Sequence, residues 1–367
     1  LNILILGVQV PFTSGGAELL SLNLQSALRK SGHTVDIVQL PFTAIPKSEI
    51  AREMKIWRAL NLDSFGGRDV DLVIPTKFPS YLVKHRRKVV WMVHQLRQAY
   101  ELLGTRYSDF EPTIEDEALR QLIFEYDREA LREAQALFTI SANVSSRIKR
   151  FFSLDSTPLR PARPNSEVFP DVAEPKPYVL SVGRICSMKR VDLLVRAVPR
   201  LDPELVIKIV GTPDEPNIQN YLNSEISKHC IGNRVEFLGG VSSSQLAKLY
   251  AEATAVCYLP FDEDYGFVTL EARAHGIPVV TTSDSGGVLE FIKDGVNGIV
   301  CEPSPDSVAT SINRLYRDSD LSKKLRFKEY FPDLVMSYEK IAERLTSPVG
   351  RTLRENTVEE KRRRVGQ

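Results

Sequence analysis

The sequence predicts an α/β protein of two halves, each a parallel sheet wrapped by helices. Short apolar runs of strand length recur at residues 2–7, 34–40, 71–75, 88–93 and 136–140, then at 178–182, 205–210, 235–238 and 255–259. Helical patterns alternate with them, and that alternation gives parallel sheets with helical crossovers. Between the two series, prolines 158, 161, 164, 170, 175 and 177 crowd residues 154–177. That density predicts irregular chain and a domain boundary.

The chain of 367 residues is long enough for two domains. Its hydrophobic content of 43% and charged content of 26% are those of an ordinary globular protein. A net charge of +1 gives no global signal for nucleic acid. Cys186, Cys230, Cys257 and Cys301 stand far apart without a CxxC, which predicts reduced structural thiols and no zinc site. No apolar run reaches the ~18 residues of a membrane span, and no secretory leader is visible. These features together predict a cytoplasmic protein. The chain starts at Leu1 rather than methionine, so a short leader or tag is expected to precede it.

In the first half, strand 2–7 leads through loop 8–14 and Gly15-Gly16 into a helix over 17–31, closed by Gly32. With strand 34–40 this makes a βαβ unit. The spacing in GVQVPFTSGG is not that of a dinucleotide fingerprint. Gly15-Gly16 is either a close backbone approach to a phosphate or sugar, or a plain turn. His94 follows the strand VVWMV at its carboxyl end, the edge where open parallel sheets bind ligands. A packed polar role and a functional one are both open to it. Lys84, Arg86, Arg87 and Lys88 read as a solvated edge, with an acidic acceptor or an anionic membrane surface as the alternative.

In the second half, strand 178–182 and the Gly183-Arg184 turn precede a helix over 191–201. Arg184 and Lys189 flank this first crossing; two cations there would neutralise a diphosphate, or serve as surface charge. The densest stretch is YLPFDEDYGFVTLEARAHGIPVV at 258–280. An apolar strand stops at Pro260, an acidic turn and Tyr265-Gly266 follow, a helix spans 267–274, Gly276 ends it, and residues 278–280 start the next strand. A strand, a polar loop and a helix N-terminus aim free amides at an anion. Glu263 and Glu271 are acceptors only, suited to sugar hydroxyls rather than phosphate. The combination points to a ligand carrying both phosphate and polyols. Their eight-residue spacing alone is uninformative, because Glu117, Glu125 and Glu133 share it on a charged helix (114–134) that reads as a solvated face. Gly286-Gly287 precede a further helix with Glu290, residues 333–345 form a last amphipathic helix, and 351–367 read as a frayed basic tail.

Laid out in this order, the chain resembles the family 4 retaining glycosyltransferases of the GT-B fold. The resemblance rests on SGGAELLSLNLQSALRKSGHTV, YVLSVGRICSMKRVDLLVRAV, RVEFLGGVSSSQLAKLYAEATAVCYLPFDEDYGFVTLEARAHGIPVV, SGGVLEFIKDGVNGIVCEP and SYEKIAERL. It implies two Rossmann-like domains facing across a cleft. The first, at 1–165, would take the acceptor; the second, at 177–332, the nucleotide sugar; and a helix at 333–346 would return to the first. It further implies that Glu263 bonds donor sugar hydroxyls, that Gly266, Phe267, Val268 and Thr269 offer backbone donors, and that Glu271 holds the ribose. Arg184 and Lys189 would grip the diphosphate, Gly16 would approach phosphate or sugar, and His94 would lie near the reacting carbon. The expected partners are a nucleotide-diphosphate sugar donor and an unidentified acceptor (glycan, lipid or small molecule), with no nucleic acid, metal or further cofactor. Peripheral contact at an inner membrane surface through the basic patches is the alternative to a purely cytoplasmic protein. One departure is Val210-Gly211-Thr212-Pro213, which lacks the second glycine common there. The rival expectations are an epimerase of the same fold and a non-catalytic sugar-nucleotide binder; a phosphorylase is disfavoured.

Overall fold

The computed structural model describes residues 1–10, 15–163 and 173–349. Residues 11–14 of the first loop, 164–172 of the proline-rich stretch and the expected tail at 351–367 lie outside them. Two compact units emerge: Leu1–Ala162 with Leu334–Gln367, and Arg163–Asp333.

The first unit runs β1 (Asn2–Gln9), α1 (Gly16–Lys30), β2 (Thr34–Pro41), α2 (Ser48–Ala59), the short hairpin β3 (Ser64–Phe65) and β4 (Arg68–Asp69), then β5 (Leu72–Pro75). There follow β6 (Val89–Met92), α3 (Ile114–Arg132), β7 (Ala136–Thr139), α4 (Ala142–Phe152) and β8 (Thr157–Pro158). Two parallel sheets, ordered β2-β1-β5 and β6-β7-β8, are joined by a bridge between Val73 and Lys88. Local chemistry sets several boundaries. Thr113 caps α3 by accepting from the Asp116 amide at 3.2 Å, with Glu115, Asp116 and Glu117 in the first turn, where carboxylates favour the helix dipole.

The second unit is one six-stranded parallel sheet, ordered β11-β10-β9-β12-β13-β14. Its elements are β9 (Lys176–Val182), α5 (Val191–Ala197), β10 (Val206–Val210), α6 (Ile218–Lys228), β11 (Val235–Gly239), α7 (Ser243–Glu252) and β12 (Ala253–Cys257). After these come α8 (Phe267–Ala274), β13 (Val279–Thr282), β14 (Gly298–Cys301), α9 (Pro305–Arg317) and α10 (Ser319–Leu325). Alternate residues of β9 point to opposite faces. Val179 packs with Ile207, Leu194 and Ile312 on one side, whereas Tyr178 and Leu180 pack with Tyr250, Ala272 and Val288 on the other. Strand order reverses between β9 and β12, and ligands of open parallel sheets bind outside the carboxyl ends at such a switch point.

Several expectations need correction. The proline-rich stretch is not wholly irregular: β8 contains Pro158 at a sheet edge, and β9 begins one residue before Pro177. Proline is tolerated at edges and strand starts because no ladder amide is lost there. The helix expected over 191–201 stops at Ala197 and continues as a single 3-10 turn, Val198–Arg200, around Pro199. The segment after Gly286 is likewise one 3-10 turn, Gly287–Glu290. The last helix spans 338–349 rather than 333–345. It buries Ile341, Ala342, Leu345 and Val349 in the first unit, sets Tyr338 against Trp91 at 6.5 Å, and pairs Glu339 with Lys30 at 3.7 Å.

Lys88 is not part of a solvated edge either. It is fully buried, donating to Tyr81 O, Val83 O and the Glu133 carboxylate at 3.2, 2.9 and 3.0 Å. Arg58 grips the same Glu133 with two donors, so Glu133, though exposed as expected, is also tied to two cations. Arg87 and Arg86 face Asp71 and Asp69 at 3.3 and 3.6 Å, which neutralises most of the basic cluster. Glu117 and Glu125 are exposed. No helix among the described residues is long and apolar enough to cross a membrane.

Candidate functional site

The second unit's candidate site is built at the switch point. Beyond β9, Gly183 and Gly211 lie so close that a Cβ on Gly211 would stand 1.9 Å from Gly183 O, and Gly211 adopts φ +142°. Only glycine fits both demands. The loop after β9 then pairs with the loop after β10: Ile185 donates to Thr212 O at 2.9 Å, and Asp214 donates back to Ile185 O at 3.0 Å. Arg184 emerges here, ion-paired to Asp214 and half-exposed. Ser187 binds Glu215 through both its amide and its hydroxyl at 2.9 Å.

One 3-10 turn later, Lys189 reaches across to the β12 side. Its ammonium donates to Tyr258 Oη at 2.9 Å and pairs with the Glu263 carboxylate, each side chain 18% exposed. Burial by itself would lower the Lys189 pKa, but Glu263 and Tyr258 outweigh it and hold the ammonium above its ordinary value. The structure thus joins two expected site residues that are 74 positions apart in sequence.

Glu263 sits in a loop pinned on both sides. Its amide donates to Ser285 O at 3.2 Å, and its carbonyl accepts from Gly287 at 2.7 Å. A Cβ on Gly287 would stand 2.6 Å from Asp264 O, so the two loops meet through backbone alone. Gly266, at φ +90°, turns the chain into α8. The first-turn amides of Phe267 and Val268 have no intrahelical acceptor, as at any helix start. The Thr269 amide instead closes onto Gly266 O at 3.0 Å, and its Oγ1 is buried without a hydrogen-bond partner. Of the expected backbone donors, Thr269 is therefore already committed.

Glu271 lies one turn into α8. Its Oε2 accepts from the Tyr250 hydroxyl at 2.8 Å. Burial raises its pKa, against the opposing effects of that hydrogen bond and the nearby Arg163 guanidinium. Arg184, Lys189, Gly266, Phe267, Val268, Thr269, Glu263 and Glu271 all belong to the second unit around one switch point.

Gly16 and His94 belong to the first unit, at the carboxyl edges of β1 and β6. Gly16 is the first residue of α1. The preceding Gly15 amide donates to Glu18 Oε2 at 2.9 Å, and Glu18 Oε1 meets Lys77 Nζ at 3.1 Å. Lys77, just past β5, forms a parallel bridge with His94, so Lys77 links the glycine turn to the histidine. His94 Nδ1 faces Gln95 O at 2.9 Å. A carbonyl only accepts, so Nδ1 is the donor in this contact.

Sequence reasoning missed Lys77, Glu18, Asp214, Tyr250, Tyr258 and Arg190. Arg190 is buried at φ 51° and donates to Leu259 O, Pro260 O and Thr282 Oγ1 at 2.6, 2.9 and 2.7 Å. It also forks onto Asp284 at 2.6 and 2.8 Å. Only its place next to Lys189 could have drawn attention to it. Arg184 and Lys189, expected at this crossing, are each matched by a carboxylate, Asp214 and Glu263 respectively. No group of three or more His, Cys, Asp or Glu side chains that could hold a metal is present among the described residues.

Residues 163–330 match the family model for glycosyl transferases group 1, inside the second unit. An uncharacterized glycosyltransferase of Methanocaldococcus jannaschii is 37% identical over 150 residues, 40% of this chain and 37% of that protein. Human alpha-1,3/1,6-mannosyltransferase ALG2 is 30% identical over 172 residues, 42% of this chain and 41% of its own. The matches therefore span well under half the length of these curated relatives. Among solved structures, sucrose-phosphate synthase of Thermosynechococcus elongatus superposes with a TM-score of 0.73, covering 97% of this chain and 99% of that one at 17% identity. Anabaena Alr3699/HepE in complex with UDP-glucose gives 0.64, with coverage of 96% and 99% at 17% identity. At that identity the likeness is one of fold, and the fold is GT-B.

Proposed function

We propose, from a second unit that belongs to the group 1 glycosyl transferases and a chain of GT-B fold, that this protein transfers a sugar from a nucleotide-diphosphate sugar to an acceptor with retention of anomeric configuration. The observation that carries the reading is the Lys189–Glu263 pair at the β9/β12 switch point, placed before the α8 N-terminus with Glu271 one turn beyond.

In this reading Glu271 accepts from the ribose hydroxyls and Glu263 from hydroxyls of the donor sugar. Arg184, Lys189 and the Phe267 and Val268 amides face the diphosphate. Fixed positive charge and backbone dipoles stabilise the departing nucleoside diphosphate, where charge develops. Lys189 is held by Glu263 and Tyr258 before any ligand arrives, so its charge is oriented in advance. In the same reading Gly16 approaches the phosphate or sugar and His94 contacts the sugar near the reacting carbon. The carboxylate separation that decides stereochemistry in glycosidases does not apply, because both glutamates are binding groups. The same reading makes the site independent of a divalent cation and places the protein in the cytoplasm, in keeping with four free thiols. The Anabaena protein of the same fold is complexed with UDP and with UDP-glucose, which makes uridine nucleotides the first probes.

The test is a melting panel of nucleoside diphosphates and nucleotide sugars. A ligand at 100 times its Kd stabilises by about 2.7 kcal/mol. For a unit of this size that raises Tm by roughly 5–11 °C. Product from a responding donor, examined by NMR, is expected to keep the donor's anomeric configuration. No response to any nucleotide, or an inverted product, overturns the proposal.

A further inference from the structure

Tyr250 is the last buried aromatic of α7, only 1% exposed. Its ring stacks on His275 with centroids 4.9 Å apart and planes 18° from parallel. His275 is fastened in turn to the carbonyl of Glu271, with Nδ1 at 2.8 Å. The ring is thereby clamped, and its hydroxyl donates to Glu271 Oε2 at 2.8 Å. A carboxylate has about four acceptor positions on two oxygens. Tyr250 occupies one of them, and Oε1 has no protein hydrogen bond among the described residues. Rotation of the carboxylate would break the Tyr250 bond and leave a buried hydroxyl unsatisfied, which makes one orientation preferred.

We propose that Tyr250 is a positioning residue for the nucleotide: it fixes the Glu271 carboxylate so that Oε1 is presented to a vicinal diol. This rests on the reading of Glu271 as the ribose-binding group. Tyr250 itself touches no ligand. It acts through Glu271 in two ways. It sets the carboxylate's orientation, and by donating to it favours the ionised, accept-only form. The groups facing Glu271 are Tyr250 from α7, His275 just past the end of α8 and the Arg163 guanidinium at the start of the unit. Tyr330 lies near Arg163, and Lys328 near His275. Burial acts against ionisation, whereas Tyr250 and Arg163 act for it.

The test measures uridine diphosphate affinity by calorimetry from acid to neutral pH in wild type, Tyr250→Phe, Glu271→Ala and the double variant. Phenylalanine keeps the ring, its volume and the stack on His275. Tyr250→Phe is expected to weaken binding about five- to tenfold at neutral pH, from the loss of one hydrogen bond near a charge. Its affinity should also fall away at a higher pH than in wild type, because the Glu271 pKa rises further without its donor. In the Glu271→Ala background, Tyr250→Phe is expected to cost nothing more. A purely structural role would lower affinity equally at every pH and add in full to Glu271→Ala; either result overturns the inference. Carboxyl-carbon NMR of Glu271 in the wild-type chain gives a reading free of any folding defect. Bound diphosphate should suppress its titration, and an unchanged titration overturns the inference as well. Failure of wild type to bind any nucleoside diphosphate overturns the proposed function and this inference with it, whereas normal wild-type binding with an unaffected Tyr250→Phe overturns the inference alone.

Discussion

Arg190→Met removes a guanidinium that holds the two loops of the candidate site to the sheet. Five hydrogen bonds are lost: to Leu259 O, Pro260 O, Thr282 Oγ1 and both oxygens of Asp284. Methionine fills most of the stem's volume but satisfies none of these acceptors. Removing one partner of a buried ion pair costs about 3–5 kcal/mol. The Asp284 side chain is 31% exposed and can recover water, so the lower end applies, about 3 kcal/mol. For a unit spanning residues 163–333 this lowers Tm by roughly 6–12 °C. Burial by itself would raise the Asp284 pKa, but Arg190 and Thr282 outweigh it and hold it below the ordinary value. A depressed carboxylate pKa contributes stability above its unfolded pKa and loses it as pH falls through the folded one. The deficit of Arg190→Met should therefore be full at neutral pH and shrink in acid below the usual Asp range. Arg190→Lys, which keeps charge but not the planar fork, should fall between the two. Calorimetric melting at several pH values is the assay. An Arg190→Met protein melting within about 2 °C of wild type at neutral pH would falsify the clamp, and a deficit independent of pH would remove Asp284 from it.

Glu263→Ala should cut kcat/KM by about 10- to 150-fold, the worth of a charge-assisted hydrogen bond, while sparing nucleoside diphosphate affinity; equal loss of that affinity in Glu263→Ala and Glu271→Ala contradicts the division of roles. Glu125→Ala, on an exposed helical face, should change stability and transfer by no more than about 0.5 kcal/mol, and a larger effect measured by melting or turnover contradicts its placement. Gly287→Ala puts a Cβ 2.6 Å from Asp264 O, so the Glu263 loop must shift; donor KM should rise well before Tm collapses, and unaltered kinetics refute the loop contact. Transfer should persist in excess chelator, because Arg184 and Lys189 supply the positive charge; abolition with rescue by magnesium or manganese refutes this.

The alternation of apolar strands with helices, and the bounds of α8 from Phe267 to Ala274, were legible without coordinates. Both are written locally. A buried strand needs a short apolar run, Gly266 supplies the positive φ that opens the helix, and Gly276 with Pro278 cannot continue it. The loops of the candidate site were legible for the same reason, since they follow strands at carboxyl ends. Which side chains meet there was not. Lys189 reaches Glu263 only because β12 lies beside β9, and β9 also has β10 as a neighbour. That strand order is a tertiary choice, and no spacing within either segment encodes it. Burial was equally hidden. Lys88 looked like its exposed neighbours Arg86 and Lys84, yet it is a core residue, because Glu133 and two carbonyls surround its ammonium. A charge can leave water only where several partners converge on it, and convergence from segments 45 residues apart exists only once the chain has folded.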